Sequence, residues 1–147
     1  MTDSLPAPDA VERARALDPG RSFLVQAPAG AGKTELLVRR YLRLLATAAE
    51  PEEILAVTFT RKAAAEMQRR VLGALAADGT ATDGDAAGTT AEMSQLVAAV
   101  RARDAARGWQ LPRHPSRLRI STIDALNAAL ARSAPVIPVS VEINCVS

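Results

Sequence analysis

Eight residues, Ala27-Pro28-Ala29-Gly30-Ala31-Gly32-Lys33-Thr34, stand between a short apolar run and a long helical pattern, and they constrain the fold more than any other part of the chain. A turn this small and glycine-containing lets several backbone N–H groups approach one ligand. The helix that follows adds unpaired N–H donors and a favourable dipole at its start. That combination suits a phosphate chain. Gly30 and Gly32 would permit the close approach, Lys33 would neutralise the outer phosphates, and the Thr34 hydroxyl would complete the coordination of a phosphate-held magnesium ion. Ala27 stands where the pattern G-x-x-x-x-G-K-[ST] has its first Gly, and a small residue there keeps most of the turn geometry. The bland alternative is a chance glycine loop with no ligand. Either ATP or GTP would fit, because the loop reads phosphates and not the base.

The elements around this loop follow from pattern. Residues 1–20 read as a polar lead-in with one short helix, about Asp9 to Leu17, closed by Pro19 and Gly20. Ser22 to Ala27 is a short apolar run bounded by turn residues and predicts a buried strand. Gly32 to about Ala49 predicts a helix with Leu37, Tyr41, Leu44 and Leu45 on one stripe, stopping before Pro51. Ile54 to Phe59 predicts a second strand. Arg61 to about Ala77 predicts a helix with Ala64, Met67, Val71 and Leu75 at helical spacing. Residues 78–90 offer almost nothing to bury and read as a surface loop. A helix over Ala91–Arg107, a basic loop over Leu111–Arg117, a third strand over Leu118–Ile123 and a helix over Asp124–Arg132 complete the pattern. Strands alternating with helices predict an α/β fold with a parallel sheet flanked by helices. The last residues, 133–147, form an atypical tail in which Val139, Val141, Ile143 and Cys145 alternate as an edge strand would, behind two prolines.

Composition narrows the class. With 147 residues, 48% hydrophobic and 23% charged, the chain suits one soluble globular domain. Cys145 is the single cysteine, so no internal disulfide can form, and a protein-only zinc site is improbable with one His beside it. The first twenty residues lack a signal peptide's basic start and apolar run, and no stretch is long enough for a membrane span. The expectation is a cytoplasmic protein with no membrane partner. Net charge is +2, yet Arg101, Arg103, Arg107, Arg113, Arg117 and Arg119 face only Asp104 in their stretch. These arginines suit a polyanionic partner or simply a solvated surface.

Two further segments are more particular than a generic strand and helix. They are Thr58-Phe59-Thr60-Arg61-Lys62-Ala63-Ala64-Ala65-Glu66-Met67 and Ile120-Ser121-Thr122-Ile123-Asp124-Ala125-Leu126. With the glycine loop, in this order, they resemble the UvrD-like superfamily 1 DNA helicases and, within them, the RecB-like or AddA-like branch of repair helicase-nucleases. The resemblance covers residues from about 22 to 135. It implies a RecA-like P-loop lobe, ATP and Mg2+ as cofactors at Ala27–Thr34 with Lys33 and Thr34 in the catalytic cradle, and a single-stranded DNA track over Thr58, Phe59, Thr60, Arg61, Lys62 and Thr122. Phe59 would offer a stacking face, which is sequence-tolerant. On the residues alone the core-aromatic reading of Phe59 is the favoured one, and Arg61 with Lys62 reads as a solvated helix start.

Asp124 reads as a helix N-cap or a residue of the family's DNA-holding segment, with the acid of a Walker B motif as the alternative. The adenine-reading Gln of many relatives, in an L-N-x-x-Q pattern, is replaced here by DAVERARAL. The family continues beyond Arg132 through an Asp-Glu pair and a second lobe, often with a nuclease. None of these lies within the 147 residues. The expectation is therefore the ATP-binding N-terminal portion of an ATP-dependent helicase or helicase-nuclease, with residues 1–147 a partial, apparently incomplete lobe that does not hydrolyse ATP alone. The remainder of a helicase-nuclease complex would be its partner. A small P-loop kinase-like enzyme and an inactive fragment are the competing readings.

Overall fold

The computed structural model describes residues 10–76 and 90–133. Among them are five α-helices and two strands, in the order α1 (Ala10–Ala16), α2 (Lys33–Leu45), β1 (Leu55–Thr58), α3 (Arg61–Ala76), α4 (Thr90–Arg107), β2 (Arg119–Thr122) and α5 (Ile123–Ser133). Single 3-10 turns at Pro51–Glu53 and Pro115–Arg117 lead into the two strands. Of the surface loop expected over 78–90, residues 78–89 lie outside the described residues, as does the tail from 134 to 147 with its alternating edge pattern, whereas Thr90 already opens α4.

β1 and β2 pair in parallel, with Leu55 opposite Arg119, Ala56 opposite Ile120, Val57 opposite Ser121 and Thr58 opposite Thr122. A parallel pair needs a long crossover, and α3 with α4 supplies it. Ala56 and Ile120 turn to the core, whereas Leu55 and Val57 on the other face are 44% and 41% exposed. The result is a helix-rich α/β fold on a small two-stranded sheet.

The expected strand over Ser22–Ala27 is corrected here. The segment has no strand among the described residues, and Leu24 is 73% exposed. Its apolar composition suits a strand, but a strand exists only where a neighbour takes up its N–H and C=O groups, and no described segment lies along it as a ladder partner. The stripe on α2 is also corrected. Leu36, Val38, Tyr41, Leu42 and Leu45 are buried, while Leu37 is half exposed. The helix ends at Leu45 rather than near Ala49, and the Glu53 carboxylate accepts from the Ala49 backbone N–H just before the Pro51 turn.

The main core joins Val38, Tyr41, Leu42 and Leu45 of α2 to Met67, Val71 and Leu75 of α3, with Val100, Trp109, Leu111 and Leu118 closing it. Burial pushes the Tyr41 phenol up to about 12, against the pull of the Arg119 backbone, so Tyr41 serves as a neutral core ring. Trp109 enters the core through the way α4 ends. Gly108 takes φ 66°, the Trp109 N–H returns to the Asp104 carbonyl at 3.1 Å, and the Asp104 carboxylate accepts from the Leu111 N–H at 3.1 Å. This six-to-one closure after a left-handed glycine is a Schellman ending. The one acid of the arginine-rich stretch therefore organises a turn.

Three of the stretch's arginines are stitches rather than a solvated surface. Arg101 donates to the Leu75 carbonyl and Arg103 to the carbonyls of Ala48 and Thr47. Arg117 donates to Glu52 at 2.6 Å and to Glu50 at 3.0 Å, joining the two 3-10 turns ahead of the strands. The hydrogen bond from Arg117 holds the Glu52 carboxyl below the usual carboxylate range, with burial opposing. A carboxyl with a depressed folded pKa contributes stability above its unfolded pKa, and the contribution is lost as pH falls through the folded value. Arg117→Ala should therefore lower the urea midpoint at pH 7 and lower it much less near about pH 3, where unpaired carboxyls are protonated. Equal losses at both pH values would show that the junction acts through packing alone.

Candidate functional site

The cradle is a turn that opens a helix. Ala31 N–H returns to the Pro28 carbonyl at 3.3 Å, Gly30 takes φ 79° and Gly32 takes φ 76°. Gly32 is also the residue from which α2 starts, and its carbonyl receives the Leu36 N–H at 3.1 Å. Left-handed backbone is costly for residues with a Cβ, so both glycines are required by conformation. Lys33 is the first residue of α2, and its ammonium reaches back across the loop to the Ala27 carbonyl at 2.5 Å. Lys33 and Thr34 are both exposed at the helix start. A cavity of about 460 Å³ opens beside the turn, between α1, residues 23–27 and Lys33.

These residues fit a phosphate chain. Left-handed positions in a turn just ahead of a helix start, as at Gly30 and Gly32, are backbone of the kind that forms anion-binding concavities. The Lys33 ammonium stands at the rim, and the Thr34 hydroxyl is available to a magnesium ion that phosphates hold. Among the described residues no cluster of three or more His, Cys, Asp and Glu could hold a metal by itself.

The second and third motifs meet at one end of the sheet. Because Thr58 pairs with Thr122, both strands finish side by side, and α3 and α5 start from that same end. Each helix is capped by a threonine. Thr60 Oγ1 accepts from the Ala63 N–H at 3.1 Å, and Thr122 Oγ1 accepts from the Ala125 N–H at 3.2 Å. Thr58 donates to the Thr60 carbonyl at 3.0 Å, which tightens the bend. Asp124 lies inside the first turn of α5, so the N-cap expected there is Thr122 instead.

Phe59 sits at the tip of this bend with 59% of its surface exposed, which sets aside the core-aromatic reading. Arg61 and Lys62 are exposed beside it. Thr122 is only 8% exposed, and its hydroxyl is committed to the cap. Hydrogen bonds from Arg69 and then Arg70 hold the Glu66 carboxyl down to about 2, so the motif's acid is paired along its own helix.

Two arginines near the cradle escaped the sequence reading. Arg13 on α1 donates to the Ala31 carbonyl within the loop, and Arg40 on α2 binds three carbonyls of residues 16–21. For Arg13 no local pattern distinguishes it from Arg15 or Arg21. For Arg40 a signal existed, since a residue seven after Lys33 returns to nearly the same helix face.

Fold and site together define a helix-rich α/β protein in which a glycine turn opens a helix and two parallel strands end on threonine-capped helices. The chain belongs to the UvrD/REP helicase N-terminal domain family, whose model matches residues 9–136. It is 43% identical over 77 residues to an ATP-dependent helicase/nuclease subunit from Levilactobacillus brevis, a match that covers 52% of this chain and 6% of that protein. It is 46% identical over 63 residues to the ATP-dependent DNA helicase UvrD1 of Mycobacterium tuberculosis, covering 42% of this chain and 8% of the relative. The chain thus corresponds to a small fraction of the length of these relatives. No solved structure gives a significant match. No helix among the described residues is long and apolar enough to cross a membrane.

Proposed function

We propose that this chain binds Mg–ATP at Ala27–Thr34 and single-stranded DNA across the bend at Thr58–Lys62, as the nucleotide-binding portion of an ATP-dependent DNA helicase or helicase-nuclease acting in the cytoplasm. The observation that carries the nucleotide half is the pair of left-handed glycines, Gly30 and Gly32, set immediately before a helix that begins with Lys33. Ala27, Pro28, Ala29 and Ala31 keep the turn small. Thr34 supplies the hydroxyl for magnesium, and the bound group supplies the phosphates that complete the ion's shell.

For the DNA half, the exposed Phe59 ring offers the stacking face and Arg61 with Lys62 the phosphate contacts. Thr58, Thr60 and Thr122 act by holding the two strand ends and helix starts in place. The names of the relatives above, one a helicase/nuclease component and the other a DNA helicase, support the same assignment. No Asp-Glu pair occurs in the 147 residues, so binding rather than turnover is the activity proposed for this chain by itself.

The DNA half is tested by titrating fluorescent oligonucleotides at several salt concentrations. Phe59→Ala should weaken single-strand binding by about 1 to 3 kcal/mol with little change in salt slope. Arg61→Ala should weaken it and flatten the slope by up to about one unit, because one phosphate contact releases one counterion fewer. Since Phe59 is exposed, circular dichroism should be unchanged. A folded Phe59→Ala chain that binds single strands as tightly as the parent would remove the track from this bend.

A further inference from the structure

The cavity beside the cradle has walls that one side chain holds from behind. Arg40 follows Lys33 on α2 by close to two helical turns, roughly 10 Å along the axis. Its Nη1 donates to Ala16 O at 2.5 Å and to Asp18 O at 3.0 Å, and its Nη2 donates to Arg21 O at 2.8 Å. The guanidinium carbon lies 5.4 Å from the centre of the Phe23 ring, within the reach of a cation–π contact. Ala16 is the last residue of α1, where helix carbonyls lose their internal partners, so Arg40 closes that end. A helix of seven residues does not stand by itself in water. Ala16 and Leu17 bury against Leu36 of α2 with Phe23 packed on them, and Arg40 fixes the backbone that follows. The cavity of about 460 Å³ shares these residues. Ala16, Phe23 and Leu36 line one part of it, and Ala27, Ala31 and Lys33 line the part that meets the phosphate turn.

We infer that Arg40 is a positioning residue for the nucleoside half of the nucleotide, setting α1 and Phe23 as the walls against which base and ribose lie. The inference rests on the nucleotide reading above. A nucleotide whose phosphates enter the turn must place its nucleoside in space that adjoins the turn. This cavity adjoins it, has the volume of a small-molecule site, and offers an aromatic ring and aliphatic side chains beyond Lys33. Among the described residues Arg40 is not one that lines the cavity, so it acts through Ala16 and Phe23. Three carbonyls and a ring face are held by one planar fork. An ammonium is a point charge on a flexible stem and cannot span that set. Because Arg40 and Lys33 stand on the same helix, the phosphate cation and the nucleoside walls keep one frame of reference.

The experiment is calorimetric titration of the full 147-residue chain with Mg–ATP and, separately, with magnesium and inorganic triphosphate, which has no base or ribose. Arg40→Ala should weaken Mg–ATP by about tenfold, because a site whose walls sit about 1 Å too loosely loses much of what its contacts supply. Triphosphate should stay within about twofold of the parent, since the substitution lies roughly 10 Å from the cradle and effects at that distance are nearly independent. Arg40→Lys keeps the charge and one donor for the end of α1, so it serves where Arg40→Ala does not fold, and it should show the same selective loss at smaller size. Arg43→Ala removes an exposed charge one turn further along α2 and should leave both ligands within about twofold, because solvent screens it. Circular dichroism accompanies each variant. Parent affinity for ATP in folded Arg40→Ala and Arg40→Lys chains overturns the inference. So does an equal loss for both ligands, which would make Arg40 a general support of the fold. If the parent chain binds neither ligand, the nucleotide reading itself falls. If Lys33→Ala loses both ligands and the Arg40 variants keep both, the nucleotide reading stands and the Arg40 assignment alone is removed.

Discussion

Lys33→Ala should lose Mg–ATP binding while keeping the fold. The ammonium stands exposed at the first position of α2, with its hydrogen bond to the Ala27 carbonyl on the surface, so truncation removes no packing. It removes the cation closest to the phosphate turn. Each charge-assisted hydrogen bond lost costs about 1.5 to 3 kcal/mol, or roughly a ten- to 150-fold drop in affinity. Thermal shift measures this directly. At a ligand concentration near a hundred times Kd, binding stabilises the parent by about 2.7 kcal/mol, which for a chain of this size raises Tm by roughly 5 to 10 °C. The variant at the same concentration should move by about 1 to 2 °C when its affinity is a hundredfold lower. Equal shifts in parent and variant would mean that Ala27–Thr34 does not hold the phosphates.

Trp109→Ala should unfold most of the chain under mild conditions. The indole is 1% exposed and sits where the Schellman ending of α4 delivers it against α2 and α3. Truncating a buried Trp typically costs about 3 to 5 kcal/mol, from lost transfer energy and the cavity left behind. A domain of this size has about 5 to 15 kcal/mol in total, so the loss is a large share. Urea titration followed by circular dichroism should show the midpoint falling steeply for Trp109→Ala and much less for Trp109→Phe, which refills most of the space. Trp109 is the only tryptophan, so fluorescence of the parent reports this core alone. A Trp109→Ala chain as stable as the parent would show that the α2–α3–α4 core does not hold the fold.

Local signals were legible and long-range ones were not. The glycine loop could be read because its geometry depends on residues within a few positions, and Gly30 and Gly32 take the backbone that their lack of a Cβ allows. On α3 the spacing of Ala64, Met67, Val71 and Leu75 named the buried stripe, since every intervening residue except Leu72 is polar or small. On α2 the run Leu36-Leu37-Val38 contains two phases of apolar spacing. Only the neighbours decide that Leu36 and Val38 go in and Leu37 stays out. The apolar run at 22–27 illustrates the same limit for strands, whose existence depends on a distant partner. Arg13, Arg103 and Arg117 bind groups 18 to 67 residues away, and nothing adjacent in sequence announces such contacts.

The parallel pairing of β1 with β2 also orders events during folding. The two strands are roughly sixty residues apart in sequence, and closing a loop of that length costs about 3 to 4 kcal/mol of chain entropy beyond a constant term. Four paired residues on each side cannot repay that early. Formation of α3 and α4 must shorten the path first, and the contacts of α2 with α3 and α4 gather the core before the ladder can close. Newly made β1 therefore waits with the edge that β2 will take unpaired, until β2 has been synthesised and delivered. During that interval the chain is most open to pairing with a strand from another molecule.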